Sequence, residues 1–318
     1  MPVRLKLAVC AGPGLQRLSS SSSRKWRAIW KNRVLYLLLL PIFAGAVLFQ
    51  YYPTAIAFYR SVFAWDGRKA YYIGLGNFAF FLSDPALVQS WVNVAKLLVF
   101  GIAVTVTVPI WTSYLIYRLR SERQRYLYRV LLILPIVVPG FVSILLWRWF
   151  YSFNGAINVI LRGIGLGDLA RLWLGDPATA LYAIMFIGFP WSGGISMLIY
   201  LAGFMAIPSE LVDAAVVDGA VGLRRLWSVE LPLIMGQIKL LVILTFIGTI
   251  QGFQTQLIMT KGGPGYATMV PGLRLYQAAI EDRKLGYSSA IGLVLFVVIF
   301  ALTLLNQRYI SAGQEFDR

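Results

Sequence analysis

The sequence predicts an all-α integral membrane protein, with six transmembrane helices and a helix-turn-helix loop on the cytoplasmic side. Three observations predict it. Hydrophobic residues make up 58% of the 318-residue chain and charged residues only 13%, with a mean hydropathy of +0.71, which is more apolar surface than a soluble domain of this length carries. The apolar residues gather in repeated uncharged runs of about twenty residues, the length an α-helix needs to cross the hydrocarbon of a bilayer. Finally, a polar island from Pro208 to Pro232 separates two of these runs and carries helix start and stop signals of its own.

The chain divides into a basic tail (1–34), a membrane domain (35–306) and a short polar tail (307–318). The first tail has eight Lys or Arg residues, no acid and a serine run from Ser19 to Ser23, so it cannot bury enough surface to fold alone. Its composition also fits an organellar transit peptide, but a bacterial cytoplasmic tail agrees better with the rest of the chain.

The first span is read at 35–58, with Pro41 and Pro53 as kinks or end markers. A turn-rich excursion follows, with Trp65-Asp66-Gly67 and Gly74-Leu75-Gly76-Asn77-Phe78. The second span covers 91–117, and Lys96 lies close enough to its start to snorkel. Arg118, Arg120, Arg123, Arg125 and Arg129 then crowd a loop that belongs on the cytoplasmic side. The third span, 127–150, is broken by Pro135 and Pro139; the fourth covers 181–205, the fifth 234–259 and the sixth 288–305. Six spans put both termini on one side. The segments then assigned inside hold seventeen Lys and Arg residues, more than those outside, which places the termini in the cytoplasm.

The island at 207–233 reads as a knuckle of two short helices. Pro208 suits a first turn, Ser209 can cap it, and Glu210 and Asp213 fall where the helix dipole favours negative charge. Gly219 can end this helix in a left-handed conformation, and a second helix is expected from Leu223 to Val229, stopped by Leu231 and Pro232. Ala214 and Ala215 offer a small surface, with Leu211, Leu226 and Trp227 as apolar anchors for a partner's groove. Spacing alone leaves two readings open, a docking knuckle or a plain loop linking two membrane helices.

Asp213-Ala214-Ala215, then Gly219, Val229 and Leu231-Pro232, resembles the EAA motif of permease subunits in binding-protein-dependent ABC importers. The motif normally opens on Glu and has Ile where Val229 stands, so both departures are conservative. The resemblance extends over the body of the chain, and is closest to the carbohydrate branch, of maltose and glycerol-phosphate type. Leu40-Pro41, Tyr52-Pro53, Ser83-Asp84-Pro85, Trp147-Arg148-Trp149-Phe150, Thr260-Lys261-Gly262-Gly263-Pro264-Gly265 and Gly286-Tyr287-Ser288-Ser289-Ala290 carry it.

The resemblance implies a type I ABC importer permease, half of a pathway for a sugar or oligosaccharide. It implies a second, different permease as partner, a cytoplasmic ATPase dimer that carries ATP and magnesium, and an external sugar-binding protein. It also assigns ATPase coupling to the knuckle, here to Glu210, Asp213, Ala214, Ala215, Asp218, Gly219, Leu226, Trp227 and Pro232. Arg224 and Arg225 can meet acids on the ATPase or anionic lipid headgroups, and the reading in which they face lipid or solvent is preferred.

A sugar pathway needs aromatic faces and amide or hydroxyl groups. In the fifth span Thr245, Gly248, Thr249, Gly252 and Gln256 recur at helical spacing, with Gln251 and Gln254 beside them; helix packing would use the same small residues. In the fourth span Phe189-Pro190-Trp191-Ser192-Gly193-Gly194 can open the helix and present Trp191 and Ser192 to the pathway.

No enzyme is visible. The sequence has no His and a single Cys10, and Gly262-Gly263-Pro264-Gly265 lacks the following Lys-Ser or Lys-Thr of a phosphate-cradling loop, so neither cofactor nor metal is expected in this chain. The net charge of +16 follows membrane topology rather than nucleic-acid binding. An ion-coupled secondary transporter is the alternative, but it would place charges mid-membrane or show an inverted repeat, and neither is clear.

Overall fold

A computed structural model describes residues 30–190 and 193–309. Contacts separate a unit ending at Ile56 from one that begins at Ala57. Arg33–Arg60 forms α1, a continuous helix with a π-turn at Val47–Tyr51 immediately before Pro53. Proline has no N–H to give and its ring crowds the carbonyl four residues back; widening the preceding turn lets Tyr52 N–H reach Val47 O and relieves both problems.

The excursion after α1 is more ordered than its turn signals suggest. β1 (Phe63–Trp65) and β2 (Ala70–Tyr72) pair antiparallel across the Asp66-Gly67 turn, and α2 (Gly76–Ser83) follows. The buried Asn77 holds the hairpin down, its amide donating to Ser61 O at 2.7 Å and Phe63 O at 2.9 Å. The second span starts earlier than the apolar run does. α3 runs from Pro85 to Arg118, with the Asp84 carboxylate capping it through Ala86 N–H at 3.0 Å and Pro85 in its first turn.

α4 (Glu122–Ile133) passes through a 3₁₀ turn at Leu134–Val137 into α5 (Gly140–Phe150), and the two limbs bend by 85° at the Pro135 and Pro139 break. α6 (Ala156–Gly163) follows, with the buried Asn158 accepting Trp173 Nε1–H at 2.8 Å and donating to Arg171 O at 2.9 Å. The fourth span is not continuous: α7 (Ala180–Met185) and α8 (Gly194–Met205) are separated by turns at Gly188 and Gly193, which take φ of 76° and 101°. Trp191 and Ser192 lie between them and outside the described residues.

The knuckle is α9 (Ser209–Val217) and α10 (Gly222–Leu233). Pro208, not Ser209, takes the N-cap position, and no side chain caps the helix. Gly219 adopts φ 77°, while Ala220 N–H reaches Ala215 O at 2.8 Å and Gly219 N–H reaches Val216 O at 3.0 Å, a Schellman closure. Pro232 does not stop the second helix. A π-turn at Leu226–Glu230 precedes it, as before Pro53, and α10 continues until Ile234 turns the chain by 69° into α11 (Met235–Gln251). The fifth span also breaks, at Gly252, before α12 (Gln254–Met259). α13 (Pro271–Tyr276), a last π-turn and α14 (Leu285–Tyr309) complete the fold.

Among the described residues three helices are long and apolar enough to cross a membrane, and by length and composition the number rises to as many as six when each bent pair is counted as one. The first half of α3 packs on α11 and the second half on α8, while α14 packs on α2, α11 and α13. One core gathers Leu87, Val94, Ile250, Leu273 and Ile291; a second, near the knuckle, gathers Tyr114, Tyr200, Phe204, Leu226 and Ile234.

Candidate coupling surface and transport cavity

The knuckle presents one set of the expected residues outward and buries another. Glu210, Asp213, Ala214, Asp218, Gly219, Trp227 and Pro232 are exposed, and so are the unanticipated Val217 (87% exposed), Val221 and Leu223. Ala215 and Leu226 are not part of that surface. Ala215 is buried, and Leu226, 1% exposed, fills the core beside Tyr114, Phe204 and Ile234. Leu226 anchors the knuckle to its own chain.

Arg225 faces neither the lipid nor the solvent expected of it, but is buried. Its Nε donates to Glu230 Oε1 at 2.9 Å in a buried ion pair that ties the first turn of α10 to its π-turn. Burial raises the Glu230 carboxyl above its ordinary pKa, and Arg225, through its charge and hydrogen bond, works against that shift. Among the described residues Glu230 Oε2 has no hydrogen-bond partner. Tyr114 of α3 donates its hydroxyl to Gly222 O at 3.3 Å, so α3 reaches the loop directly. An acid five residues after an Arg was visible in the sequence, but only the π-turn brings the two side chains together.

At mid-bundle α3, α11 and the α7 turn enclose an open cavity of about 580 Å³. Thr245, Thr249, Gln251 and Gln254 all line it, together with Gly248 and Gln256. The opposite wall supplies Phe100, Gly101 and Thr105 of α3, which sequence reasoning passed over. Their signal was present as small residues four apart. The hydroxyls of Thr105 and Thr245 lie 3.1 Å apart, and Thr245 donates to Leu241 O at 2.8 Å, so Thr245 works in helix contact. A Cβ on Gly101 would stand 3.3 Å from Thr245, whereas among the described residues one on Gly248 would meet nothing within 4 Å. The break at Gly252 turns Gln251 and Gln254 into the same cavity from two helices.

At the end of the bundle remote from the knuckle, Asp84 Oδ2 accepts from Arg274 Nε at 2.7 Å and from the Tyr287 hydroxyl at 2.9 Å, and Arg274 also pairs with Asp282 at 2.9 Å. Burial opposes ionisation of Asp84, but these donors and the Ala86 N–H outweigh it and hold the carboxyl below its ordinary range. This cluster joins α3, α13 and α14 and was not legible as a site in the sequence.

Residues 105–313 match the family described as binding-protein-dependent transport system inner membrane component. The chain belongs to this family. It is therefore an inner-membrane permease, a transport subunit rather than an enzyme. It is 30% identical to the sn-glycerol-3-phosphate transport system permease protein UgpA of Agrobacterium fabrum, over 89% of this chain and 97% of that one. It is 30% identical to the diacetylchitobiose uptake system permease protein NgcF of Streptomyces coelicolor, over 85% and 80%. The probable ABC transporter permease protein YurN of Bacillus subtilis is 29% identical over 90% and 99%. A crystal structure of a bacterial ABC transporter involved in import of the acidic polysaccharide alginate shares the fold, with a TM-score of 0.78 at 21% identity, covering 91% of this permease and 100% of that chain.

Proposed function

We propose that this permease is half of the membrane pathway of an ABC importer for a sugar or oligosaccharide. The cavity carries the reading. Phe100 offers a ring face, Thr249 a hydroxyl, and Gln251 and Gln254 amides, the set that a saccharide's apolar and hydroxylated faces require. The name of one relative supports the class, since it belongs to a diacetylchitobiose uptake system; another is named for glycerol-3-phosphate, a polyol phosphate rather than a saccharide.

The cavity is open on one side, which suits a second permease completing it. An external binding protein delivers the sugar, and ATP and magnesium act on a separate cytoplasmic ATPase dimer. Coupling runs through the exposed face of the knuckle, with Glu210, Asp213, Ala214, Asp218, Gly219, Trp227 and Pro232 toward the ATPase. Ala215 and Leu226 hold that face to the bundle, so ATPase closure moves the knuckle as a rigid body and shifts the balance between two packings of the helices. Both termini lie in the cytoplasm on this topology, a reading that the Lys and Arg distribution supports.

The test is ATP-dependent uptake into proteoliposomes holding this permease, its partner permease, the ATPase and the binding protein, with each omitted in turn. Saccharide uptake that needs all four, and that Gly219→Pro abolishes while the complex still assembles, is the expected result. Uptake by this chain alone on an ion gradient would overturn the proposal in favour of a secondary transporter.

A further inference from the structure

A second cavity, of about 640 Å³, opens at the end of the bundle remote from the knuckle. The β1–β2 hairpin, α2 and the turn into α14 form its walls, and Trp65, Tyr71, Phe80 and Tyr287 make them largely aromatic. Three cations, Lys69, Arg283 and Lys284, line the same cavity. Its single acid, Asp66, is tied back into the hairpin turn, its Oδ1 accepting the N–H groups of Arg68 at 2.8 Å and Lys69 at 2.7 Å. Three cations and one carboxylate leave two net positive charges, and among the described residues none of the three cations is in an ion pair.

The depth of this cavity is fixed by the fold. Arg283, at φ 53°, closes the helix before it, with Lys284 N–H reaching Ala278 O at 2.7 Å, and α14 starts at the next residue. The cationic pair therefore stands where a membrane-crossing helix begins. Tyr71, Tyr72, Ile73 and Leu75 are all exposed around the hairpin, an aromatic and apolar rim of the kind that sits at headgroup level. Lys284 Nζ lies 5.4 Å from the centre of the Phe80 ring, whose edge-on partner Tyr287 is 4.7 Å away.

We propose that this cavity is a binding site for an anionic phospholipid, its phosphate held by Lys69, Arg283 and Lys284 and its glycerol and upper acyl segment laid against Trp65, Tyr71 and Phe80. A cationic rim over an apolar wall at headgroup depth matches the two halves of such a lipid. An acidic peptide fits less well, because it would bring backbone N–H and C=O groups that aromatic walls cannot pair. The site is separate from the transport cavity, and its occupancy does not depend on the substrate class.

The complete transporter in nanodiscs of mixed phosphatidylcholine and phosphatidylglycerol provides the test, read by native mass spectrometry of retained lipid and by quenching of Trp65 with brominated phosphatidylglycerol, the W65F variant supplying the background. Each cation replaced by Gln in Lys69→Gln, Arg283→Gln and Lys284→Gln is expected to weaken phosphatidylglycerol retention about fivefold, with losses accumulating in the triple variant. The charge-keeping pair Arg283→Lys and Lys284→Arg should retain the lipid, which separates charge from any fault in the turn. Equal retention by the triple variant, or equal quenching by brominated phosphatidylcholine, would overturn the proposal. So would a triple variant that keeps its lipid but loses affinity for the binding protein, which would make the cavity a protein contact.

Discussion

The buried Arg225–Glu230 pair makes a sharp prediction about the knuckle. Arg225→Met removes the cation while leaving Glu230, whose side chain is 0% exposed, without its partner. Breaking a buried pair by deleting one member costs about 3–5 kcal/mol, and the low end applies here because the pair lies just beneath the loop surface. About 3 kcal/mol corresponds to roughly a hundredfold loss of hydrogen-exchange protection if the knuckle opens locally. The assay is amide exchange over 209–233 in the purified chain, with α14 as internal reference. Arg225→Met, Glu230→Leu together should recover most of the loss, since replacing both charges by apolar groups is close to neutral. The pH dependence has a definite sign. Because burial raises the folded pKa of Glu230, its contribution is fully present below the unfolded pKa and is lost as pH rises through the folded value; Glu230→Gln should abolish that slope. A loss below about 1 kcal/mol in Arg225→Met would place the pair among solvated surface bridges and refute the reasoning.

Asp84→Asn should cost about 2–3 kcal/mol in thermal unfolding, because it removes the charged acceptor of Arg274 and Tyr287. In the wild type that contribution holds above about pH 4 and fades as pH falls through the lowered folded value, so an unfolding series toward acid should steepen there and flatten in the variant. Gly219→Ala should lower knuckle stability by about 1–2 kcal/mol through φ alone, since a Cβ there meets nothing within 4 Å; an unchanged melting and exchange profile would contradict this. Gly101→Val should part α3 from α11, because even a Cβ stands 3.3 Å from Thr245, and a lowered melting temperature is the expected readout.

Much of the architecture was written locally. The spans, the Gly219 reversal and the Pro135–Pro139 break follow from apolar runs and from residues that allow or forbid particular backbone angles. What was missed depends on distance or on helix phase. Asp84-Pro85 is a plain N-cap signal, yet the apolar run begins six residues later and drew the boundary with it. Leu226 and Trp227 are adjacent and both apolar, but neighbours on a helix face different ways, and which one turns inward depends on the helix's placement: Leu226 is buried and Trp227 is 64% exposed. The α11 stripe of Thr245, Gly248 and Thr249 was legible as one helix face, while its opposing Phe100, Gly101 and Thr105 lie about 140 positions away and no local pattern links them. The Asp84–Arg274–Tyr287 cluster spans wider gaps, of 190 and 203 positions, and becomes visible only in the fold.

Gly248→Leu tests the pathway most directly. The position lines the cavity proposed as the pathway, and among the described residues a Cβ there meets nothing within 4 Å, so a leucine projects into its open space. In the reconstituted transporter, saccharide uptake and binding-protein-stimulated ATP hydrolysis are measured on the same vesicles. Uptake falling at least about tenfold while hydrolysis persists is the predicted result, since the route is blocked and the knuckle is untouched. Undiminished uptake in a correctly folded Gly248→Leu transporter would mean that the sugar passes elsewhere.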